Sequence, residues 1–453
     1  MDLNSMVVKF NSILSDNILL IALLGCGIFY TFYTRGVQFR KLGLAFKQVF
    51  GGMFEKDSEG GVSSFQALAV AIAAQVGTGN VAGVATAIIA GGPGAIFWMW
   101  LAAILGMSTI FAEAILAQKF RERDDEGNWV GGPAYYIKNG LGKRFPGLSK
   151  FLSHAFAILI VIALGFIGIM VQSNSISVSV AEATGIQPLF IGLVIAFFAG
   201  LIFIGGITRI ARFAQMVVPF MAVLYVILSI ITLFMFHDQI IPAISLIIRS
   251  AFNPQAALGG ALGITVRQAI SKGVGRGLFS NEAGMGSTPH AHATANVKHP
   301  VLQGYTAMVG VFIDTIIVCS ATALIILVTG AQNSGKDGAL VTQHAFSTAF
   351  GQFGSATLAT CLCFFAFTTI VGWYYFGETN IRFMFGRKGL LPYRALVILC
   401  VIFGSLQEVT LVWNLADLAN SLMVVPNIIA LILLCRHVRE MQDDMRLKER
   451  DLL

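Results

Sequence analysis

Charge is what this sequence has least of. Only 12% of its 453 residues are Asp, Glu, Lys or Arg, about half the share (about 25%) of a soluble globular domain, while hydrophobic residues make up 56%. A chain so poor in charge cannot clothe a water-exposed surface, which excludes an ordinary soluble domain. Cysteine is also scarce: the six present fall inside or at the ends of apolar runs, where they behave as small hydrophobes and imply neither a disulfide framework nor metal-ligand spacing. The N-terminal "MDLNSMVVKFNSILSDN" has one lysine and no basic region ahead of a cleavage site, so the first apolar run reads as a retained helix rather than a signal peptide. Period-2 alternation broken by turns every ten or so residues is missing too, which argues against a transmembrane barrel. No HExxH, GxSxG or paired-carboxylate constellation occurs, so nothing suggests an enzyme. No GxxxxGK[ST] loop occurs either, so any driving force has to come from an ion gradient or another subunit.

What the chain has instead is apolar length. A membrane-spanning helix needs about 20 apolar residues, and eleven such runs are found, at 17–34, 61–90, 93–118, 151–176, 188–207, 212–236, 258–292, 304–330, 354–382, 391–407 and 413–435. The expected fold is an all-α integral membrane protein with 11 transmembrane helices, one transporter domain over 1–453. The net charge of +7 does not point to nucleic acid, because most Lys and Arg fall in alternate connections, chiefly 35–56, 119–150 and 382–394, and in the tail 436–453. By the positive-inside rule that side is cytoplasmic, which puts the N-terminus outside and the C-terminus inside a prokaryotic plasma membrane. Eleven crossings require the two ends to lie on opposite sides, which agrees.

Two of these runs are interrupted. "AAQVGTGNVAGV" at 73–84 and "GVGRGLFSNEAGMGSTPHAHA" at 273–293 place clustered glycines and small polar residues where a spanning helix should be most regular. Non-helical backbone at membrane depth is tolerated only around a protein-buried or watery cavity. The first break lies in the second run and the other in the seventh, five helices apart, and matched interruptions in two halves point to a transporter's midplane site. The expectation is a five-plus-five inverted repeat with two discontinuous helices: repeats at 61–236 and 258–435, preceded by an extra helix at 17–34. Unwinding frees N–H groups that favour a carboxylate and C=O groups that suit a hard cation, so one site can hold a small zwitterion and a cation together.

The chain resembles the alanine/glycine:cation symporters. "GGPGAIFWMWLAAILG" at 91–106 matches that family's signature of a double glycine, a Phe-Trp-Met-Trp core and a closing glycine. "GTGNVAGV" at 77–84, "GGPAYYI" at 131–137 and "NEAGMGSTP" at 281–289 are similar to its other motifs, in the same order. The resemblance runs over nearly the whole chain. It implies uptake of alanine or glycine driven by Na+, or by H+ in some members, on the inverted-repeat fold of the neurotransmitter:sodium symporters.

On this resemblance the substrate carboxylate is expected at the backbone around Thr78 and Gly79, with Gln75 and Asn80 shaping the pocket. Phe279, Ser280, Asn281, Gly284 and Met285 would line the opposite wall. Glu282 reads either as functional or as a structural ion pair with nearby Lys272 or Arg276. In "FIGIMVQSNSI", Phe166 and Gln172 are candidates, and Gln172 is explained equally by an interhelical hydrogen bond. In "FFAFTTIVGWYYFGE", Thr368 and Thr369 would, by similarity to the fold, complete a sodium site with the carbonyls of Ala73, Val76 and Phe365; the bland alternative is that each bonds its own helix. Trp373 either covers the pocket or packs. Asp314 and Asp417 are single buried acids whose partners the sequence does not show. The stretch 343–354 resembles the extracellular hairpin that closes over the site in this fold.

The expected function is therefore secondary active import of small neutral amino acids, alanine and glycine, with Na+ as coupling ion and no cofactor. A proton-coupled transporter of the same fold is the alternative. A channel fits less well, since it would want a continuous polar lining.

Overall fold

A computed structural model describes residues 11, 14, 20–51, 62–253, 265–407 and 409–451, and these are overwhelmingly helical. The starts of the first, second and seventh expected runs (17–19, 61 and 258–264) lie outside the described residues. Helix α1 (Leu20–Tyr33) is followed by α2 (Leu42–Gly51), α3 (Ser64–Gln75), a π-helical turn (Gly79–Gly83), α4 (Val84–Gly91) and α5 (Ala95–Lys119). A small hairpin, β1 (Glu122–Arg123) with β2 (Trp129–Val130), leads to α6 (Pro133–Leu141), α7 (Pro146–Thr184), α8 (Pro188–Phe203), α9 (Gly206–Met235) and α10 (Ile240–Phe252). Next come α11 (Val266–Asn281), α12 (Pro289–Thr294), α13 (Pro300–Thr329) and α14 (Ala339–Phe350). The chain ends in α15 (Gln352–Phe385), α16 (Leu390–Ser405), α17 (Val409–Leu433) and α18 (Cys435–Asp451).

The chain is thus an all-α protein with multiple apolar helices. Each expected run overlaps helix, but among the described residues length and apolarity qualify six helical stretches as spans, or seven if the pair Ser64–Gln75 and Gly79–Gly91, bent by 50°, is taken as one. The difference from eleven has identifiable sources. The described part of α1 has 14 residues and α8 has 16, Gln352–Ser405 takes in two of the runs, and the seventh run is divided into α11 and α12.

Both broken helices begin in the same way. Ser63 caps α3 and Thr265 caps α11, each with a reciprocal bond from a Gln three residues on, Gln66 and Gln268. The capping box satisfies two N–H groups that the first turn leaves without partners. Both helices then fail at their glycine-rich stretch, and the four halves pack crosswise, α3 with α12 and α4 with α11. The ends are joined where Asn296 donates its N–H to the Val62 carbonyl at 2.9 Å.

Around this pair, α5 packs along both α11 and α13, while the second half of α7 packs on α15 and α16. Two π-helical stretches, Val161–Gly168 in α7 and Phe312–Cys319 in α13, wind the backbone more widely than an α-helix, a feature frequent at functional sites. On the periphery Phe190, Phe197, Phe220 and Phe234 are exposed, which suits a surface bathed in lipid.

Candidate functional site

The first break starts where α3 stops. Val76 is extended (φ −80°, ψ 90°), and the N–H of Gly77, which a continuing helix would give to Ala73, goes instead to Asn80 Oδ1 at 2.8 Å. The N–H of Asn80, Val76's ordinary partner, turns to the Gly77 carbonyl at 3.3 Å. Two carbonyls are thereby orphaned, and the α15 side chain of Thr369 reaches both: its hydroxyl lies 2.9 Å from Ala73 O and 3.4 Å from Val76 O, and 3.0 Å from Phe365 O of its own helix. One hydroxyl and three carbonyls converge, all hard oxygen donors of the kind a hard cation takes. Thr368 meets this cluster only at the Phe365 carbonyl. Its hydroxyl donates to Phe365 O at 2.9 Å and approaches Met221 Sδ at 3.6 Å.

Next to this oxygen cluster the two breaks cross. A Cβ on Gly79 would come 3.1 Å from Ser280 Cα, and one on Gly77 would strike the Thr369 hydroxyl. Gln75 Nε2 ties the breaks together by donating to Asn281 O at 2.7 Å. Gln172 Oε1 accepts the N–H of Thr78 at 3.2 Å. The hydroxyl of Thr78 and Oε1 of Gln75 are buried with no hydrogen-bond partner, an unusual condition that invites a ligand group.

The second break runs from Glu282, itself left-handed (φ +57°), through Gly284 (φ +84°) and Gly286 (φ +81°) to Pro289 at the start of α12. Asp314, turned inward by the π stretch of α13, accepts from Asn80 Nδ2 at 2.6 Å, Thr315 Oγ1 at 2.7 Å and Ser280 Oγ at 3.0 Å. One carboxylate thus gathers both breaks. Glu282 accepts from Trp373 Nε1 and from Ser287 Oγ (2.6 Å), while Arg276 makes a two-bond pair with Asp417, at 2.7 and 2.9 Å. Among the described residues no salt bridge reaches Glu113, Glu282 or Asp314.

Phe279 packs edge-on to Trp373 (centroids 6.0 Å apart) and against Trp413, and Met285 is buried near it beside a cavity of about 40 Å³ that Leu20, Leu23 and Asn420 also line. The ring of Trp373 fits against Gly168, where a Cβ would come 2.6 Å from it. Phe166 stands apart, half-buried with its ring 5.7 Å from Tyr393. Helix α14 leans on the first break, Thr342 donating to Val81 O at 3.1 Å. So Gln75, Thr78, Gly79, Asn80, Gln172, Ser280, Asn281 and Thr369 form one connected centre, with Asp314 and Thr315 added. The hydrogen bonds that Asp314 and Glu113 make are not legible in the sequence, although an acid inside a membrane helix is itself a signal.

The profile of the sodium:alanine symporter family matches residues 1–451. The chain belongs to that family. Among its relatives in the family, an uncharacterized transporter of Haemophilus influenzae is 45% identical, over 95% of this chain and 94% of the relative. The sodium/alanine symporter AgcS of Methanococcus maripaludis is 43% identical over 96% and 95%. The putative sodium/proton-dependent alanine carrier protein YrbD of Bacillus subtilis is 42% identical over 95% and 90%. Family membership makes the chain a membrane transporter, not an enzyme.

Proposed function

We propose that this symporter carries alanine or glycine into the cell together with Na+, by alternating access around the crossing of its two broken helices. The observation that carries the reading is the Thr369 hydroxyl set among Ala73 O, Val76 O and Phe365 O, two of them carbonyls that the first break has released. Na+ would lie in this oxygen cluster, with Thr368 at its edge. The substrate carboxylate would lie at the backbone of Thr78 and Gly79, and the side chain would face Phe279, Ser280, Met285 and Trp373. The unpartnered Thr78 hydroxyl supports a ligand there. Gly79 and Ser280 approach so closely that the space between them suits a side chain of one methyl group or none.

The matching capping boxes and the crosswise packing of α3, α4, α11 and α12 support the inverted-repeat architecture of eleven crossings. In that reading the N-terminus lies outside and the C-terminus in the cytoplasm. No cofactor is needed beyond the coupling ion. A proton-coupled variant has its own support in Asp314, a buried carboxylate that touches both breaks and is able to carry a proton in place of a cation's charge. Uptake of labelled alanine into proteoliposomes separates the two: a sodium gradient alone drives accumulation if the proposal holds, and a proton gradient alone drives it if the alternative does. Counterflow of unlabelled alanine distinguishes either from a channel.

A further inference from the structure

Glu113 lies about three quarters of the way along α5 and is fully buried. Its two oxygens point at the second break. Oε2 accepts the N–H of Gly284 at 2.9 Å and Oε1 that of Gly286 at 2.9 Å. Both glycines are left-handed, a conformation that only glycine adopts without strain. Neither has room for a Cβ, which would come 2.7 Å from Leu23 at 284 and 2.7 Å from Pro133 at 286. Asn427 of α17 adds a third bond, Nδ2 to Glu113 Oε1 at 2.7 Å, and uses its second hydrogen on the Gly284 carbonyl at 2.9 Å. The Asn427 oxygen in turn accepts from the Tyr136 hydroxyl of α6.

Breaking a helix leaves backbone groups without partners, and leaving them so in an apolar interior is costly. Here a single side chain from a neighbouring helix supplies what the helix lost. All three of its partners are donors, the pattern an acceptor-only carboxylate satisfies. A carboxamide would present an N–H group to one of them. The chain Tyr136, Asn427, Glu113, Gly284 and Gly286 connects α6, α17 and α5 to the segment that follows Phe279, Ser280 and Asn281 in sequence.

We propose that Glu113 is a positioning residue for transport: it holds the backbone at 284–286 in the geometry that sets Phe279 and Ser280 against the first break, and Asn427 and Tyr136 hold it in turn. This rests on the symport reading only for the identity of the solute. Glu113→Gln keeps size and shape but removes one acceptor. In that variant, hydrogen–deuterium exchange of the amides at 284–286 rises about tenfold or more, as expected for loss of bonds to a charged acceptor, while exchange within α5 and α13 stays at the parent's rate. The alanine concentration for half-maximal uptake rises about tenfold, with a smaller drop in maximal rate. Tyr136→Phe, which removes one hydroxyl at the far end of the chain, gives the same pattern at about threefold, and it carries the test if Glu113→Gln does not fold. Unchanged exchange at 284–286 would overturn the assignment, as would a rise spread evenly over α5 and α13, the mark of general loosening. If the parent moves no alanine yet Glu113→Gln still frees 284–286 alone, the solute is wrong and the hold on the break stands.

Discussion

Gly79 and Ser280 face each other with little room for a side chain at 79: a Cβ on Gly79 would lie 3.1 Å from Ser280 Cα and 3.3 Å from Phe279 Cδ1. These two residues belong to different broken helices, so their contact fixes how closely the breaks approach and how much room a solute has between them. Gly79→Ala asks the neighbours to give by a few tenths of an ångström and is expected to weaken alanine uptake more than glycine uptake. Gly79→Leu is expected to abolish binding of both while the protein still folds and reaches the membrane. Competition by unlabelled glycine, alanine and leucine against labelled alanine checks this. Parent-like uptake by Gly79→Leu would reduce the contact to packing.

The two threonines of α15 are expected to separate. Thr369 reaches two carbonyls released by the first break, whereas Thr368 bonds its own helix and approaches Met221. Thr369→Ala removes an oxygen from the centre of the cluster and is expected to raise the sodium concentration for half-maximal uptake at least tenfold. Thr368→Ala raises it by about threefold or less, the scale of one ordinary hydrogen bond. Sodium titrations of alanine uptake measure both, and equal effects would mean that Thr368 turns toward the ion when it binds.

Much of this was legible in the sequence, and what was not has physical reasons. Apolar length located the helices, and clustered glycines located both breaks, because backbone that leaves the helix inside a membrane needs residues without bulk. The matched starts of α3 and α11 were present as Ser63 with Gln66 and Thr265 with Gln268, a spacing that reads as a capping box only once the helix is known to begin there. Glu113 gave no local pattern: its partners Gly284 and Asn427 are 171 and 314 residues away. The π stretch that turns Asp314 inward has no side-chain periodicity of its own. Nearness in sequence offers Arg276 as a partner for Glu282, but its planar fork goes to Asp417, and Glu282 is held by Trp373 and Ser287 instead.

Asp314 is expected to matter through its charge rather than its shape. Asn80, Ser280 and Thr315 all donate to it, so Asp314→Asn keeps the volume but sets an N–H group against one of these donors, a cost of about 1–3 kcal/mol. Alanine uptake should fall at least tenfold at limiting sodium and recover in part when sodium is raised. Circular dichroism and the elution volume in detergent should match the parent. An unaltered sodium curve would remove Asp314 from the coupling machinery and leave it a structural acceptor.

The last expectation concerns reciprocity. The backbone turn that releases the Ala73 and Val76 carbonyls toward Thr369 is the same one that carries Thr78 and Gly79, so filling the oxygen cluster should order the substrate side, and the reverse. Coupling between two sites is symmetric in free energy and amounts typically to about 1–3 kcal/mol. Calorimetry on the purified protein should therefore find that sodium tightens alanine by some factor between about fivefold and 150-fold, and that alanine tightens sodium by that same factor. Thr369→Ala should shrink both factors together. Since a zwitterion carries no net charge, each cation moved with it gains about 2.3 kcal/mol per 100 mV of inside-negative potential, and a potassium-diffusion potential imposed on proteoliposomes should raise alanine accumulation at steady state. Unequal coupling factors would mean that the two ligands do not share one turn of backbone, and accumulation indifferent to voltage would mean that no net charge crosses with alanine.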